Sequence, residues 1–337
     1  MLDFDMDRFL RTEAGAVALA PEIDAVVGQC LEQGARNVFF LGTGGAAILM
    51  QPAALLLQHR SSFPAYTAIA AELVIGGHQA LGKESLVVIP SVSGTTKESI
   101  AALEFCRERG ARIVTLVGNR ETPLGQMADH TLVNPAEDDT APESLYLQSL
   151  LVALSIMARR GEWADHARTV AEISTLPKHL VAAKQFFEPE AQRMAQALSG
   201  EGYHIVTSAG GGFAPAWYVS MCILEEMQWL KTRPVHAADF FHGAFELIEK
   251  GVSVIVLKGE DQFRPLSQRV ENFARQYTDK LTVIDAARFE LPGISPETRA
   301  LISPVLLATA LERFVTHLAA ARNHPLGTRR YYKKVTY

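Results

Sequence analysis

Asn37-Val38-Phe39-Phe40-Leu41-Gly42-Thr43-Gly44-Gly45 is an apolar run that stops on a glycine-rich turn, and His204-Ile205-Val206-Thr207-Ser208-Ala209-Gly210-Gly211-Gly212 is its echo. Gly42 and Gly210 are 168 residues apart. The same spacing carries Leu86-Val87-Val88-Ile89 onto Val254-Ile255-Val256-Leu257, and Arg112-Ile113-Val114-Thr115-Leu116 onto Lys280-Leu281-Thr282-Val283-Ile284. Between them, Thr67-Ala68-Ile69-Ala70-Ala71-Glu72 answers to Val235-His236-Ala237-Ala238-Asp239, with Glu72 and Asp239 167 residues apart. Matches in chain order at one spacing indicate a duplicated domain.

The repeated runs are apolar without polar alternation. Strands of that kind are buried on both faces, as in a parallel sheet covered by helices. Helix-length segments follow the two turns, over residues 46–59 and 215–230, and long helices over 5–33, 143–160 and 296–322 frame the halves. The fold class is therefore α/β, two tandem domains, each a doubly wound parallel sheet flanked by helices. The boundary falls in the helical stretch 164–189, giving domains of 1–165 and 166–337. In such sheets ligands sit at the carboxyl ends of the strands, where both glycine-rich turns lie.

Bulk properties exclude several classes. With 48% hydrophobic and 20% charged residues and a net charge of −5, the chain reads as a globular protein with no electrostatic case for nucleic acid. Cys30, Cys106 and Cys222 are dispersed, which suits free thiols in a reducing compartment. The acidic start MLDFDMDRFLRTEAG has no apolar signal core, and no run reaches about 18 apolar residues, so a cytoplasmic protein with no membrane span is expected. Gly42-Thr43-Gly44-Gly45-Ala46-Ala47 lacks the third glycine of a dinucleotide fingerprint, and no P-loop pattern occurs. No His and carboxylate spacing suits a metal, so neither metal nor cofactor is expected.

Two segments carry chemistry. After the strand at 86–89 comes Pro90-Ser91-Val92-Ser93-Gly94-Thr95-Thr96-Lys97-Glu98, a hydroxyl cluster before a helix. Free N–H groups and the helix dipole favour an anion there, with Ser91, Ser93 and Thr96 as added donors. One such residue would serve as a plain N-cap, but the cluster exceeds what a cap needs. Its counterpart, Lys258-Gly259-Glu260-Asp261-Gln262, is acidic, so one phosphate per chain is expected, bound by the first half. The second segment runs from Glu225-Glu226-Met227 to Phe240-Phe241-His242-Gly243. Glu226, among Ile223, Leu224, Met227 and Leu230, leans to a buried stripe with Glu225 as its exposed neighbour. Glu226 and His242 are candidates for an acid/base pair, with His236 a weaker one.

The glycine-rich first turn, the S-x-S-G-x-T loop and the duplicated α/β unit resemble the sugar isomerase (SIS) domain, twice over nearly the whole chain. Glu226 and His242 match the Glu and His of the isomerase half of glucosamine-6-phosphate synthase. Met227-Gln228-Trp229, Phe240-Phe241-His242-Gly243 and His324-Pro325-Leu326-Gly327-Thr328-Arg329-Arg330-Tyr331 are more similar to the Amadori-product deglycases, those of fructoselysine 6-phosphate and 6-phosphofructose-aspartate. Ala237-Ala238, Ala244 and Leu41-Gly42-Thr43 depart from the usual pattern.

The resemblance implies a phosphorylated sugar-amine substrate, with phosphate contacts from Gly42, Thr43, Gly44, Ser91, Ser93 and Thr96. It implies Glu226 as base and His242 as acid. It also implies a homodimer in which His242 serves the neighbouring subunit, and a tail lysine, Lys333 or Lys334, entering the site. An aldose-ketose phosphosugar isomerase or aminosugar-phosphate deaminase is the alternative, and a non-catalytic phosphosugar sensor the further one.

Overall fold

Apolar strands that end on glycine or serine, alternating with helices, build two parallel sheets. The chain is seen in a computed structural model that describes residues 1–137, 139–332 and 334–336. It divides into two compact units, Met6–Lys178, and His179–Tyr337 together with Met1–Asp5.

The first unit runs α1 (Met6–Ala18), α2 (Ala20–Glu32), β1 (Asn37–Gly42), α3 (Gly45–Leu49), α4 (Gln51–Arg60), β2 (Ala65–Ile69), α5 (Ala70–Gly76), β3 (Ser85–Ser91), α6 (Lys97–Glu108), β4 (Arg112–Val117), α7 (Pro123–Met127), β5 (His130–Val133), α8 (Ala141–Arg159) and α9 (His166–Ser174). Its sheet is all parallel in the order β2-β1-β3-β4-β5, with Val38 opposite both Ala65 and Leu86. Successive side chains of a strand point to opposite faces. Phe39, Leu41, Val87 and Ile89 enter a core with Ala102, Leu103 and Cys106 of α6. The alternate residues Val38, Phe40, Leu86 and Val88 are buried as well, so both faces are covered. The helix expected over 46–59 is broken at Met50 into α3 and α4, where Pro52 starts the second segment.

The second unit runs from α10 (Leu176–Leu198) through β6 (Tyr203–Ser208), α11 (Phe213–Tyr218), β7 (Lys231–His236), β8 (Ser253–Lys258), α12 (Arg264–Tyr277), β9 (Lys280–Asp285) and α13 (Pro296–Ala321). Its parallel sheet has the order β7-β6-β8-β9. This is the order of the first sheet without a counterpart of β5, as a duplicated unit should give. Ile205, Val254 and Val256 pack with Phe240 and with Val270 and Ala274 of α12.

Met1–Asp5 joins the second unit through buried charge. Arg313, fully buried, donates to Leu2 O (2.6 Å), and Leu2 N donates to Glu188 (2.7 Å). Glu188 also pairs with Arg313 (3.2 Å), and Lys184 with Glu312 (2.8 Å).

Among the described residues, three segments, Met6–Glu32, Ala141–Arg159 and Pro296–Ala321, are long and apolar enough to cross a membrane by length and composition. The apolar windows of α8 and α13 are 94% and 83% buried, so their hydropathy reflects an interior position, and the first segment is two helices.

Candidate active site

In the first sheet the chain passes from β1 to β2 on one side and returns to β3 on the other. The switch point therefore lies between the carboxyl ends of β1 and β3, where a doubly wound sheet opens a crevice. Gly42-Thr43-Gly44 leaves β1 there and Ser91-Val92-Ser93-Gly94-Thr95-Thr96 leaves β3, so the phosphate candidates gather on one edge.

The β3 loop is built on its own hydroxyls. Ser91 Oγ accepts from Gly94 N–H (3.1 Å) and lies 3.4 Å from Thr96 Oγ1, while Thr95 Oγ1 donates to Ser93 Oγ (3.1 Å). Gly94 has φ +63°, and a Cβ there would stand 2.0 Å from Thr122 Oγ1. Thr96 is the N-cap residue of α6, yet its side chain makes no capping bond. The first-turn N–H groups are left for another acceptor, which a plain cap would not do. Thr43 Oγ1 is buried without a hydrogen-bond partner among the described residues.

At the equivalent switch point of the second sheet, Asp261 fills the turn with its own carboxylate. Its Oδ2 accepts from Gly211 N–H (3.1 Å) and its Oδ1 from Phe263 N–H (3.0 Å). A Cβ on Gly210 would stand 2.5 Å from that Oδ2, so only glycine lets the carboxylate in. The second half thus supplies its turn with an internal anion.

Glu226 stands where a helix changes pitch. The helix expected over 215–230 ends early: after α11 the chain forms a π-helical turn over Val219–Glu225, with Glu226 N–H donating to Met221 O (3.2 Å), five residues back. Such turns often occur at functional sites. Trp229 closes the turn at φ +55°, a left-handed conformation that costs a non-glycine residue about 1–2 kcal/mol. Its reversal lets Leu230 N–H reach Leu224 O (2.8 Å) and starts β7.

Glu226 is half-buried, Glu225 is exposed and accepts from Thr232 Oγ1 (2.5 Å). The C-terminal segment folds back over this turn. Gln228 Nε2 donates to His324 O (2.7 Å), and the His324 ring meets the Trp229 indole edge-on at 4.5 Å. Arg329, largely buried, pairs through Nε with Glu226 Oε1 at 2.9 Å, and its Nη1 donates to Leu326 O (2.6 Å). The Arg330 guanidinium lies over the Trp229 ring, 4.2 Å from its centre. Glu225, Glu226, Trp229, Leu230, Arg329, Arg330, Tyr331 and Tyr332 line a cleft of about 300 Å³.

His242 is not among the residues lining that cleft. It ends a short 3₁₀ turn, Phe240–His242, whose phenylalanines anchor in an aromatic cluster: Phe240 and Phe241 at 5.2 Å, Phe241 and Phe273 at 5.4 Å. The anchored run leaves His242 exposed. His236 is committed internally, accepting from Ala238 N–H at Nδ1 (3.2 Å) beside Phe213. Lys334 is exposed, its Nζ donating to Arg329 O (2.5 Å), and Lys333 lies outside the described residues. Cys222, near Glu226, is no nucleophile: burial, then Glu226 and Glu225, push its thiol up to about 12. Among the described residues no three His, Cys, Asp or Glu side chains converge to hold a metal.

Sequence reasoning pointed to the C-terminal motif without giving Arg329, Arg330 or Trp229 a task. The conspicuous Arg329-Arg330-Tyr331-Tyr332 run was the available signal.

The comparisons with known proteins agree with this architecture. The SIS domain model matches residues 33–158. The fructosamine deglycase FrlB of Bacillus subtilis is 31% identical over 310 residues, 89% of this chain and 92% of that protein. The fructoselysine 6-phosphate deglycase of Escherichia coli is 26% identical over 313 residues, covering 93% and 90%. A solved Bacillus subtilis structure, provisionally described as a phosphosugar isomerase, superposes with a TM-score of 0.90 at 29% identity, covering 96% of this chain and 99% of that one. The chain therefore belongs to the SIS-domain phosphosugar isomerase and deglycase family, and is one of its enzymes.

Proposed function

We propose that the chain is a deglycase that takes a 6-phosphorylated Amadori product, a 6-phosphofructosyl- or glucosyl-amino acid, with water to a hexose 6-phosphate and the free amino acid. The observation that carries this reading is Glu226. It is a carboxylate set at a π-turn and facing an open cleft. The chain that holds it is similar along most of its length to two proteins named as deglycases of fructosamines and of fructoselysine 6-phosphate.

In a fructosyl substrate the nitrogen is on C1 and the carbonyl on C2. Glu226 takes a proton from C1, the C1–H electrons form a C1–C2 double bond, and the C2 oxygen is protonated to give the enaminol. The proton returned at C2 leaves a C1 imine. Water adds to that imine and the C–N bond breaks, releasing the amine and an aldose 6-phosphate. One carboxylate can carry the proton from C1 to C2 on one face. His242 is assigned the oxygen protonation, contributed to a neighbouring subunit of a homodimer. Its exposure on an anchored turn supports that role. Thr43, Ser91, Ser93, Thr96 and the backbone of Gly42 and Gly44 are assigned the 6-phosphate. The reading needs no cofactor and takes the enzyme as cytoplasmic.

The test is to offer fructoselysine 6-phosphate, fructose-aspartate 6-phosphate and glucosamine 6-phosphate. Glucose 6-phosphate should come from the first or second and not the third. Turnover of glucosamine 6-phosphate alone would favour a deaminase, and tight binding without turnover a sensor. Glu226→Gln should lower kcat by about 10²- to 10⁴-fold, the range of a lost general base, while substrate still binds.

A further inference from the structure

We infer that Arg330, held over the Trp229 ring, reads the carboxylate of the amino acid leaving group. This rests on the deglycase reading and adds to it the chemistry of the non-sugar half.

The cleft presents four charged side chains, Glu225, Glu226, Arg329 and Arg330. Arg329 is committed, to Glu226 on one side and to the carbonyls of Leu326 and Thr328 on the other. Arg330 has no carboxylate partner among the described residues. Its guanidinium lies over the indole ring, 4.2 Å from the ring centre. A guanidinium fixed in this way has lost rotamer freedom before any ligand arrives, and its fork matches a carboxylate.

The platform beneath it is a built feature. Trp229 keeps a left-handed backbone, and its half-exposed indole meets the His324 ring edge-on and carries the Arg330 guanidinium over it. Backbone strain at an exposed aromatic residue persists where the surroundings hold it in place, and it gathers at ligand sites. Tyr331 and Tyr332, both exposed, extend the aromatic wall.

The placement fits the reaction. If Glu226 works at C1, the amine nitrogen is bonded to that carbon, and in a conjugate through the α-amine the carboxylate carbon is only three bonds from C1. A group that reads it must share the cleft of Glu226, as Arg330 does. Glu225 faces the same cleft, accepting from Thr232 Oγ1 there, so the cleft sets a second carboxylate beside the Arg330 guanidinium. That set complements an amino acid, whose ammonium accompanies its carboxylate. A conjugate through a side-chain amine presents the same pair of charges at longer reach.

The experiment compares 6-phosphofructosyl-glycine, 6-phosphofructosyl-glycinamide and lysine carrying 6-phosphofructose on its side-chain amine, with glucose 6-phosphate release as the readout. The native enzyme should prefer glycine to glycinamide by roughly 10- to 100-fold in kcat/KM, the range of a charge-assisted hydrogen bond. In Arg330→Gln that ratio should fall to near one, with the loss in KM, and Arg330→Lys should restore part of it. Preference between the glycine and lysine conjugates tells which linkage the cleft is measured for, and either supports the proposal if Arg330→Gln weakens the preferred one through KM. Equal use of glycine and glycinamide by the native enzyme would overturn the proposal while leaving the deglycase reading intact. So would a variant that lowers both substrates alike. Release of glucose 6-phosphate from none of the three would contradict the deglycase reading itself, and the proposal with it.

Discussion

Gly94 shows how one residue sets the shape of a loop. It sits at φ +63° with Thr122 Oγ1 in the space a side chain would fill, and its N–H is bonded to Ser91 Oγ. Alanine there meets both a left-handed backbone and a clash, so the loop must move. Gly94→Ala should weaken binding of the 6-phosphate by at least about tenfold, measured as KM or by titration with glucose 6-phosphate, with little effect on binding of an unphosphorylated sugar-amine. The loop at Ser91, Ser93 and Thr96 was legible in the sequence as a hydroxyl cluster before a helix, and its internal hydrogen bonds were not. Trp229 was not, since a left-handed position ordinarily signals itself by glycine. The ion pair of Arg329 with Glu226 joins residues 103 positions apart and leaves no local pattern.

At the scale of elements, the repeat of strand and turn was readable because its apolar runs are buried and β1 and β6 both end on a glycine-rich turn. The end of the helix before Glu226 was not readable: apolar spacing continues through 226–230, while the pitch change to a π-turn comes from the hydrogen bonds of Met221 and Ile223. Helices α8 and α13 are apolar enough to cross a membrane by composition because most of their apolar windows lie buried inside the fold.

Strand β6 carries a pH dependence. His204 is fully buried with Nδ1 2.9 Å from Ser253 Oγ, and burial lowers its pKa to about 4. A lowered histidine is neutral in the fold, and the unfolded chain binds the extra proton first. Stability from this group is complete above about 6.5 and falls as pH drops from there toward 4. Urea unfolding at pH 7 and pH 5 should differ by on the order of 2 kcal/mol, and a His204→Gln variant should show a clearly smaller difference. An equal difference in the two proteins would remove His204 as the cause.

For the whole molecule, the most consequential buried charges belong to the second unit. Arg313 is fully buried among Glu188, Glu312 and the carbonyl of Leu2. Burial raises the Glu312 carboxyl, but Lys184 and Arg313 outweigh it and hold the group below its ordinary value. That contribution is present above the unfolded carboxylate range and is lost as pH falls through the lower folded value. Removing Arg313 takes a buried cation from Glu188 and Glu312 and leaves Leu2 O without its donor, so Arg313→Ala should cost about 3–5 kcal/mol in chemical denaturation. It should also loosen Met1–Asp5, seen as faster amide exchange there.

The central claim is chemical: the double bond moves from C2 to C1 through an enaminol. Its most direct test is turnover of a 6-phosphofructosyl-amino acid in D₂O, with the product examined by NMR. The mechanism predicts glucose 6-phosphate carrying up to one deuterium, at C2, and one original hydrogen kept at C1. Fructose 6-phosphate as the product, the mark of direct displacement at C1, would contradict it.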